Sequence, residues 1–238
     1  MHAVLLARFS SCLIALALCA VGFSSGCGQT FDSSPLPSDG ASEAVPGESR
    51  RSEWAALVEK TRGEKLPRIE SDLPIGDAEL AALTDMAHLR EIVLPHARAS
   101  DKALDVVASL VGLEVLVLGN TTITDDGLAK LSGLRMLRDL NLNQSRVTDR
   151  GLAHLVDLPR LELLRIGKSD ITDDGLAAAG RIRTLRFLIL QNAHISGRGF
   201  QYLHGLKNLE SLYLAGNPLT GEGVAELRRA LPGLHPDW

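Results

Sequence analysis

Aromatic residues are scarce in this chain: Phe, Trp and Tyr make up 4% of its 238 residues. Aliphatic side chains must therefore supply the core. Acidic and basic residues nearly balance, with a formal charge of −4 at pH 7, and this argues against a nucleic-acid partner. The sequence also has no GxSxG nucleophile motif and no glycine-rich phosphate loop. We expect a protein with no enzymatic activity and no cofactor.

Cysteine is equally scarce, with three residues in the whole chain. Cys12 and Cys19 lie in an apolar N-terminal stretch, so Cys27 is the only thiol left after processing, and no internal disulfide can form. The histidines show no metal-ligand spacing, and the paired acids at 125–126 and 173–174 suit helix starts better than a cation. We expect no metal site.

Leucine, in contrast, recurs at one fixed spacing along most of the chain. A constant period of this kind is the signature of a solenoid. The first leucines of the units are Leu89, Leu113, Leu137, Leu161, Leu185 and Leu209. Each unit begins LxxLxL, and such a short alternation predicts a strand. Side chains at repeat positions four and six point inward, whereas those at positions three and five point to the opposite face.

The second half of each unit has the features of a helix. Position twelve is Ser or Thr in all six units, and Asp follows it in the first four. The hydroxyl can accept from the free N–H groups of a first helical turn, and the Asp suits the positive end of the helix dipole. Position fifteen is Gly from Gly127 onward, and we expect that a side chain there would crowd the next coil. Leucines three apart, such as Leu128, Leu131 and Leu134, form one apolar helical stripe.

This pattern resembles the leucine-rich repeat superfamily, and within it the subtype whose units read LxxLxLxxCxxITDxGLxxL. The chain departs from that subtype at position nine, where small or polar residues replace Cys. These residues are Ala97, Thr121, Ser145, Ser169, Ala193 and Asn217. The resemblance implies a curved α/β solenoid with parallel strands on the concave face and helices on the convex face. It also implies, as a tendency of the superfamily, a protein-binding function.

Residues 1–26 have the form of a signal peptide, with an apolar run at 13–23 that is too short to span a bilayer comfortably. The sequence Ser24-Ser25-Gly26-Cys27 resembles a bacterial lipoprotein processing site, although Ser24 stands where that family usually has Leu. The resemblance implies lipidation at Cys27 and a membrane-anchored place in the bacterial cell envelope, facing the periplasm or the exterior. Ordinary signal cleavage and an uncleaved anchor remain as alternatives.

The remaining segments follow from composition. The predicted division is a signal peptide (1–26), a disordered tether (27–50), an N-terminal capping helix with a degenerate repeat (51–88), six leucine-rich repeats (89–232) and a C-terminal cap (233–238). Trp54, Leu57 and Val58 share one side of the predicted capping helix. Terminal repeats of a solenoid need such covers, because their apolar ends have no neighbour.

Position two alternates in charge along the stack. Its residues are Arg90, Glu114, Arg138, Glu162, Arg186 and Glu210. Neighbouring strands lie about 4.8 Å apart, so each charge should lie near an opposite one in both adjacent coils. We interpret this row as structural.

The candidate functional surface is the strand face opposite the inward leucines, which we expect to be exposed. The predicted partner-binding residues are Val115, Val117, Asp139, Asn141, Leu163, Arg165, Phe187, Ile189 and Tyr213. They combine an apolar patch with a polar strip, as binding surfaces do. This favours a non-catalytic, protein-binding module of the cell envelope. A carbohydrate-binding or peptidoglycan-binding envelope protein is the alternative, although only Phe187 and Tyr213 offer rings.

Overall fold

A computed structural model describes residues 46–234, and within them seven parallel strands form one sheet in chain order. The strands are β1 (Arg68–Glu70), β2 (Glu91–Leu94), β3 (Val115–Leu118), β4 (Asp139–Asn141), β5 (Leu163–Arg165), β6 (Phe187–Ile189) and β7 (Ser211–Tyr213). Equivalent repeat positions lie side by side: Leu140 pairs with Leu116 on one side and with Leu164 on the other. The predicted curved α/β solenoid is confirmed.

The helical half of each coil is short and mixes α-helix with 3-10 helix. The α-helices are α1 (Pro46–Gly63), α2 (Asp77–Leu80), α3 (Ala103–Ser109), α4 (Asp125–Lys130), α5 (Asp149–Leu152), α6 (Gly175–Ala179) and α7 (Gly221–Ala230). The 3-10 helices span Ala81–Leu83, Leu131–Gly133, Ala153–Leu155 and Phe200–Gly205. Among the helices of residues 46–234, none has both the length and the hydropathy needed to cross a bilayer.

Aliphatic side chains fill the space between strands and helices, as the low aromatic content requires. Leu116 and Leu118 of β3 are 0% exposed, and so are Leu128, Leu131 and Leu134 of the helical stripe. Each buried leucine contributes roughly 1.5–3 kcal/mol to folding. Because the same positions are buried in successive coils, one apolar core runs along the stack.

The N-terminal end of the core is covered by α1. Trp54 and Val58 are 3% and 2% exposed, and the Trp54 indole donates a 2.8 Å hydrogen bond to the carbonyl of Glu79. The helix begins at Pro46 rather than at Arg51, so residues 46–50, which the sequence assigns to the tether, are helical. A proline in the first turn has its φ angle already set for a helix, which explains the earlier start.

The degenerate repeat supplies β1 even though Pro67 stands at its beginning. The backbone N–H groups of Arg90 and Glu91 donate to the Pro67 carbonyl at 2.7 and 2.9 Å. Proline lacks an N–H but keeps its carbonyl, and only the carbonyl is needed at this position. At the other end, Leu231 and Leu234 pack against the core. Residues 235–238 of the predicted cap lie outside the described part of the chain, as do residues 1–45 with Cys27.

A row of aspartates, here called the aspartate ladder, joins successive coils. Asp77, Asp101, Asp125, Asp149 and Asp173 each accept from the backbone N–H and the hydroxyl of a position-twelve residue in the next coil. Those partners are, in order, Ser100, Thr124, Thr148, Thr172 and Ser196. At Thr148, for example, the N–H bond is 2.8 Å and the hydroxyl bond 2.6 Å. The hydroxyl therefore serves mainly as a donor between coils, and its predicted capping bond is longer, 3.4 Å from Arg150 N.

The aspartate ladder accounts for the position-fifteen glycines Gly127, Gly151 and Gly175, whereas the Asp77 rung lies in the coil before Ala103. A Cβ on Gly151 would lie 2.4 Å from Asp125 Oδ1, and a Cβ on Gly127 would lie 2.2 Å from Asp101 Oδ1. Real Cβ atoms do not approach oxygen this closely, so the carboxylate occupies the space that a side chain would need. Crowding was predicted against the next coil, but the contacts are with the preceding coil. The crowding group is a ladder carboxylate at Gly127, Gly151 and Gly175, and a backbone carbonyl at Gly199 and Gly223.

The position-two row, here called the charge ladder, is complete only toward the C-terminus. Arg138 lies 3.2 Å from Glu162, and Arg186 bridges Glu162 at 3.5 Å and Glu210 at 2.5 Å. Within residues 46–234, no ion pair joins Glu114 to either neighbour, although its charge contributes to raising the pKa of Arg138 after the larger effect of Glu162.

The break lies at Arg90, whose guanidinium turns back to the carbonyls of Ala87 and Leu89 at 3.1 and 3.0 Å. This position is open because Gly112 has no side chain: a Cβ there would lie 2.1 Å from Arg90 Nη1.

Candidate functional site

The predicted contact residues lie on adjacent strands of the sheet, from β3 to β7. In-register pairing puts Leu163 beside Phe187 and Arg165 beside Ile189. Ile189 is in turn paired with Tyr213. The topology therefore brings the apolar and polar parts of the predicted surface together, as the repeat period requires.

Four of the nine residues are less accessible than the sequence predicts. Val115, Val117, Arg165 and Ile189 are 8%, 1%, 5% and 5% exposed. Each lies between the equivalent residues of two adjacent strands about 4.8 Å apart, so its neighbours pack against both sides. The expectation that the whole face is exposed was wrong at these four positions.

The other five residues are half-buried and keep part of their surface accessible. They are Asp139, Asn141, Leu163, Phe187 and Tyr213. We call these five residues the strand-face site. They span β4 to β7, with the polar pair on β4 and the apolar and aromatic members on β5, β6 and β7.

Asp139 is the electrostatically unusual member of the strand-face site. Burial raises the pKa of its carboxyl to about 6, with smaller contributions from Arg138, which lowers it, and from Glu162 and Glu91, which raise it. Desolvation disfavours the charged form of an acid, so this carboxylate gains from a cation placed beside it. The neighbouring Asn141 holds its own turn, because its Oδ1 accepts from the backbone N–H of Asn143 at 3.1 Å.

Two arginines flank the apolar part of the site. The Arg186 guanidinium lies 5.7 Å from the centroid of the Phe187 ring, within the range of a cation–π interaction. Burial lowers the pKa of Arg165. Arg186 also belongs to the charge ladder, so the ladder and the strand-face site share one side chain.

The paired acids do not form a metal centre in the structure. Asp125 and Asp173 are committed to the aspartate ladder, and hydrogen bonds from Ser196, Gly197 and Gly199 hold the pKa of Asp173 below its usual value although its burial acts to raise it. Among residues 46–234, His, Cys, Asp and Glu side chains nowhere gather in threes around a possible cation.

Sequence reasoning missed the aspartate ladder, although a signal for it was present. Asp stands at position thirteen of one unit wherever Gly stands at position fifteen of the next, from Gly127 to Gly199. The two residues recur together in these four coils, although Asp77 is followed by Ala103 and Gly223 is preceded by Gly197 at the same two positions. Within a single unit the same residues also suit helix capping, and that local interpretation hides the contact between coils.

Comparison with known proteins supports the fold. A sequence profile described as "Leucine Rich repeat" matches residues 113–132 and 205–227. The crystal structure of an internalin C2 from Listeria monocytogenes superposes with a TM-score of 0.55 at 19% sequence identity, covering 73% of this chain and 88% of that chain. The described chain is a leucine-rich repeat solenoid.

Two further comparisons add nothing to that conclusion. An internalin inlF from the same species has a TM-score of 0.43 at 21% identity, with 66% of this chain and 56% of that chain covered. No curated protein matches the sequence. The leucine-rich repeat solenoid is therefore established as a fold, and its function has to be argued from its own surface.

Proposed function

We propose that this leucine-rich repeat solenoid is a non-catalytic module of the bacterial cell envelope, tethered by a lipid at Cys27, that binds a protein partner through the strand-face site. The observation that carries the proposal is the composition of that site. The half-buried Phe187 lies beside Leu163, and Leu163 lies beside Asp139. A second half-buried aromatic residue, Tyr213, lies on the strand next to that of Phe187. Clustered aromatic anchors with adjacent polar groups are typical of protein interfaces.

The two parts of the strand-face site have different roles in this proposal. Phe187 and Tyr213 bury ring area against the partner and supply most of the affinity, by a few kcal/mol in the manner of interface anchors. Asp139 orients the partner, because its poorly solvated carboxylate favours a basic side chain. The buried neighbours Val117 and Ile189 hold the strand face rigid beneath these contacts.

Site-specific photo-crosslinking in the envelope tests the binding surface. A photoreactive residue at Asn141 should capture one partner, and capture should fall when the chain also carries Phe187→Ala and Tyr213→Ala. The matched control carries Gln201→Ala and His204→Ala, two exposed residues on the helical side. Capture that survives the first pair of changes, with an unchanged circular dichroism spectrum, would show that the partner binds elsewhere.

The lipid anchor is a separate part of the proposal and has its own test. It is supported by the apolar leader and by Cys27 as the single thiol of the processed chain. Mass spectrometry of the mature N-terminus should find Cys27 carrying two or three acyl chains, which stable anchoring needs. An intact Met1, or an unmodified N-terminus elsewhere, would leave the strand-face proposal standing and remove the anchor.

We also assign the repeats to the 24-residue subtype with Cys at position nine. The support is that Thr121, Ser145 and Ser169 at that position are buried, as a cysteine would be. The alternative function, glycan binding, is less well supported, because Phe187 and Tyr213 are the only two rings among the predicted contact residues.

A further inference from the structure

Four successive loops lead from the helical half of one coil into the strand of the next, and they form one edge of the solenoid. The loops are 133–138, 157–162, 181–186 and 205–210. Their acidic residues are Asp157, Glu162 and Glu210. Glu162 and Glu210 are already neutralised by Arg138 and Arg186 of the charge ladder.

The other basic side chains of these loops are not neutralised in this way. They are Arg135, Arg160, Arg181, Arg183 and Lys207, and we call them the basic edge. All five are exposed, and none forms an ion pair or donates a side-chain hydrogen bond within residues 46–234. Against Asp157, and against Glu114 of the preceding loop, these five bases give this edge a positive charge on a chain whose formal charge is −4.

Exposed apolar residues lie at this edge and in the helix next to it. In the described part of the chain, the large hydrophobic side chains that are exposed are Val111, at 65%, and Tyr202, at 49%. Val111 occupies the same repeat position as Arg135, one coil earlier. Tyr202 lies in the 3-10 helix Phe200–Gly205, which leads into the loop that carries Lys207, and its backbone carbonyl packs against Gly180, the residue before Arg181.

We propose that the basic edge, together with Val111 and Tyr202, binds the anionic headgroups of a lipid bilayer. Successive coils present the bases as a row, which fits a plane of phosphate charges. Exposed apolar and aromatic side chains beside bases are the composition of surfaces that rest in the headgroup region. An acidic protein would account for the bases and leave Val111 and Tyr202 unexplained, so the bilayer is the better occupant.

This surface is distinct from the strand-face site, and its binding does not require acylation. With this edge against the membrane, the strand-face site points sideways rather than into the lipid. Each base near an anionic surface strengthens binding roughly fivefold, the factor that corresponds to about 1 kcal/mol. The row should therefore act as a salt-sensitive contact that orients the solenoid.

Vesicle co-sedimentation tests the proposal with the full chain carrying Cys27→Ala, so that no acyl chain contributes. The readout is the difference in binding between vesicles of phosphatidylcholine and vesicles that also contain phosphatidylglycerol. The leader, which carries Arg8, contributes equally to every variant compared. We expect a preference for phosphatidylglycerol that falls with added salt. The combined changes Arg135→Gln, Arg160→Gln, Arg183→Gln and Lys207→Gln should reduce that preference by at least ~100-fold.

The matched control removes the same charge from the opposite edge, where each strand leads into its helix. It carries Arg98→Gln, Arg146→Gln, Lys168→Gln and Arg198→Gln, all at exposed positions. Lys168 has a positive φ of 50°, and Gln is suited to it because Gln144 has a φ of 61° at the equivalent position. This control should keep the preference for phosphatidylglycerol. An equal loss in both variants would mean that only net charge matters and would overturn the proposal.

A second variant separates a bilayer from an acidic protein. Val111→Ser with Tyr202→Ser leaves every charge in place and should weaken binding to phosphatidylglycerol vesicles, most visibly at high salt. If this variant binds as the unaltered chain does, while soluble polyglutamate displaces both from the vesicles, the basic edge serves an acidic protein and the membrane proposal is wrong. No preference between the two vesicle types in the unaltered chain would overturn it directly.

Discussion

The aspartate ladder and the charge ladder run through the same coils. The charge ladder lies just before the strands and the aspartate ladder lies after them, and the two differ in how they join one coil to the next. Each aspartate rung has a short side chain that accepts from a backbone N–H and a hydroxyl, at 2.8 and 2.6 Å for Asp125. Each rung of the charge ladder needs two long side chains, and the row fails at Glu114. Hydrogen-bonded rungs are thus repeated without a break from Asp77 to Asp173, whereas ion-paired rungs are not.

The difference shows that a short carboxylate accepting from backbone groups joins successive coils more regularly than a pair of long charged side chains does. A hydrogen bond to an ionised group contributes about 1.5–3 kcal/mol when it satisfies a partly buried donor. An exposed ion pair contributes about 0–1 kcal/mol, because ordering two long side chains offsets most of its attraction. We therefore expect the solenoid to depend on the aspartates for stability and far less on the charge ladder.

Removing one aspartate rung should have the largest effect. Asp125→Ala leaves the Thr148 N–H and hydroxyl without their acceptor, and we expect a loss of about 2–4 kcal/mol in the free energy of unfolding. Urea denaturation of the full chain measures it. Asp126→Ala is the control, since Asp126 is the exposed neighbour outside the ladder and should change stability by less than about 0.5 kcal/mol. Equal losses would mean that the ladder does not carry this stability.

A double-mutant cycle can test whether the glycine and the carboxylate compete for one space. Gly151→Ala places a Cβ 2.4 Å from Asp125 Oδ1 and should destabilise by about 1–3 kcal/mol. In the Asp125→Ala background the same change should be neutral or stabilising, because alanine is favoured over glycine in a helix by about 1 kcal/mol. Additive effects in the cycle would contradict the contact.

The pH dependence of the free energy of unfolding can distinguish Asp139, whose carboxylate is poorly solvated, from Asp173, whose carboxylate accepts several hydrogen bonds. Asp139, whose pKa is raised to about 6, adds stability that is fully present below its unfolded pKa near 4 and is lost as the pH rises through about 6. Asp139→Asn should therefore stabilise the protein at pH 7 by up to about 3 kcal/mol and flatten the profile between pH 4 and 7. Asp173 affects stability in the opposite direction. Its pKa is lowered by folding, so its contribution to the free energy of unfolding is present above its unfolded pKa and is lost as the pH falls through its folded pKa.

The smallest effect is expected from the charge ladder. Glu162→Gln removes the carboxylate shared by Arg138 and Arg186 and should lower the free energy of unfolding by about 0–1 kcal/mol, less at high salt. Chemical denaturation at low and high salt checks both points. A loss comparable to that of Asp125→Ala would remove the distinction between the two ladders.

Much of the fold could be predicted from the sequence because the same pattern of residues recurs in every coil. The inward positions of Leu116, Leu118 and Leu142 follow from alternation within a strand, and all are 0% exposed. The strand-face site was predicted only in part. The strand and the face of each residue follow from the period. The burial of Val117 and Arg165 depends instead on the side chains of the two neighbouring repeats, and the alternation within one strand does not specify their sizes or conformations.

By itself, the sequence determined the repeat length and the direction of each leucine, because these depend on a chain geometry that recurs in every coil. Only the tertiary structure decided which groups meet between coils. It showed that Asp125 bonds to Thr148 rather than to its own helix alone, that Arg90 turns away from Glu114, and that unpaired bases gather on one edge. These outcomes depend on distances and side-chain conformations across stacked coils, which local patterns do not encode.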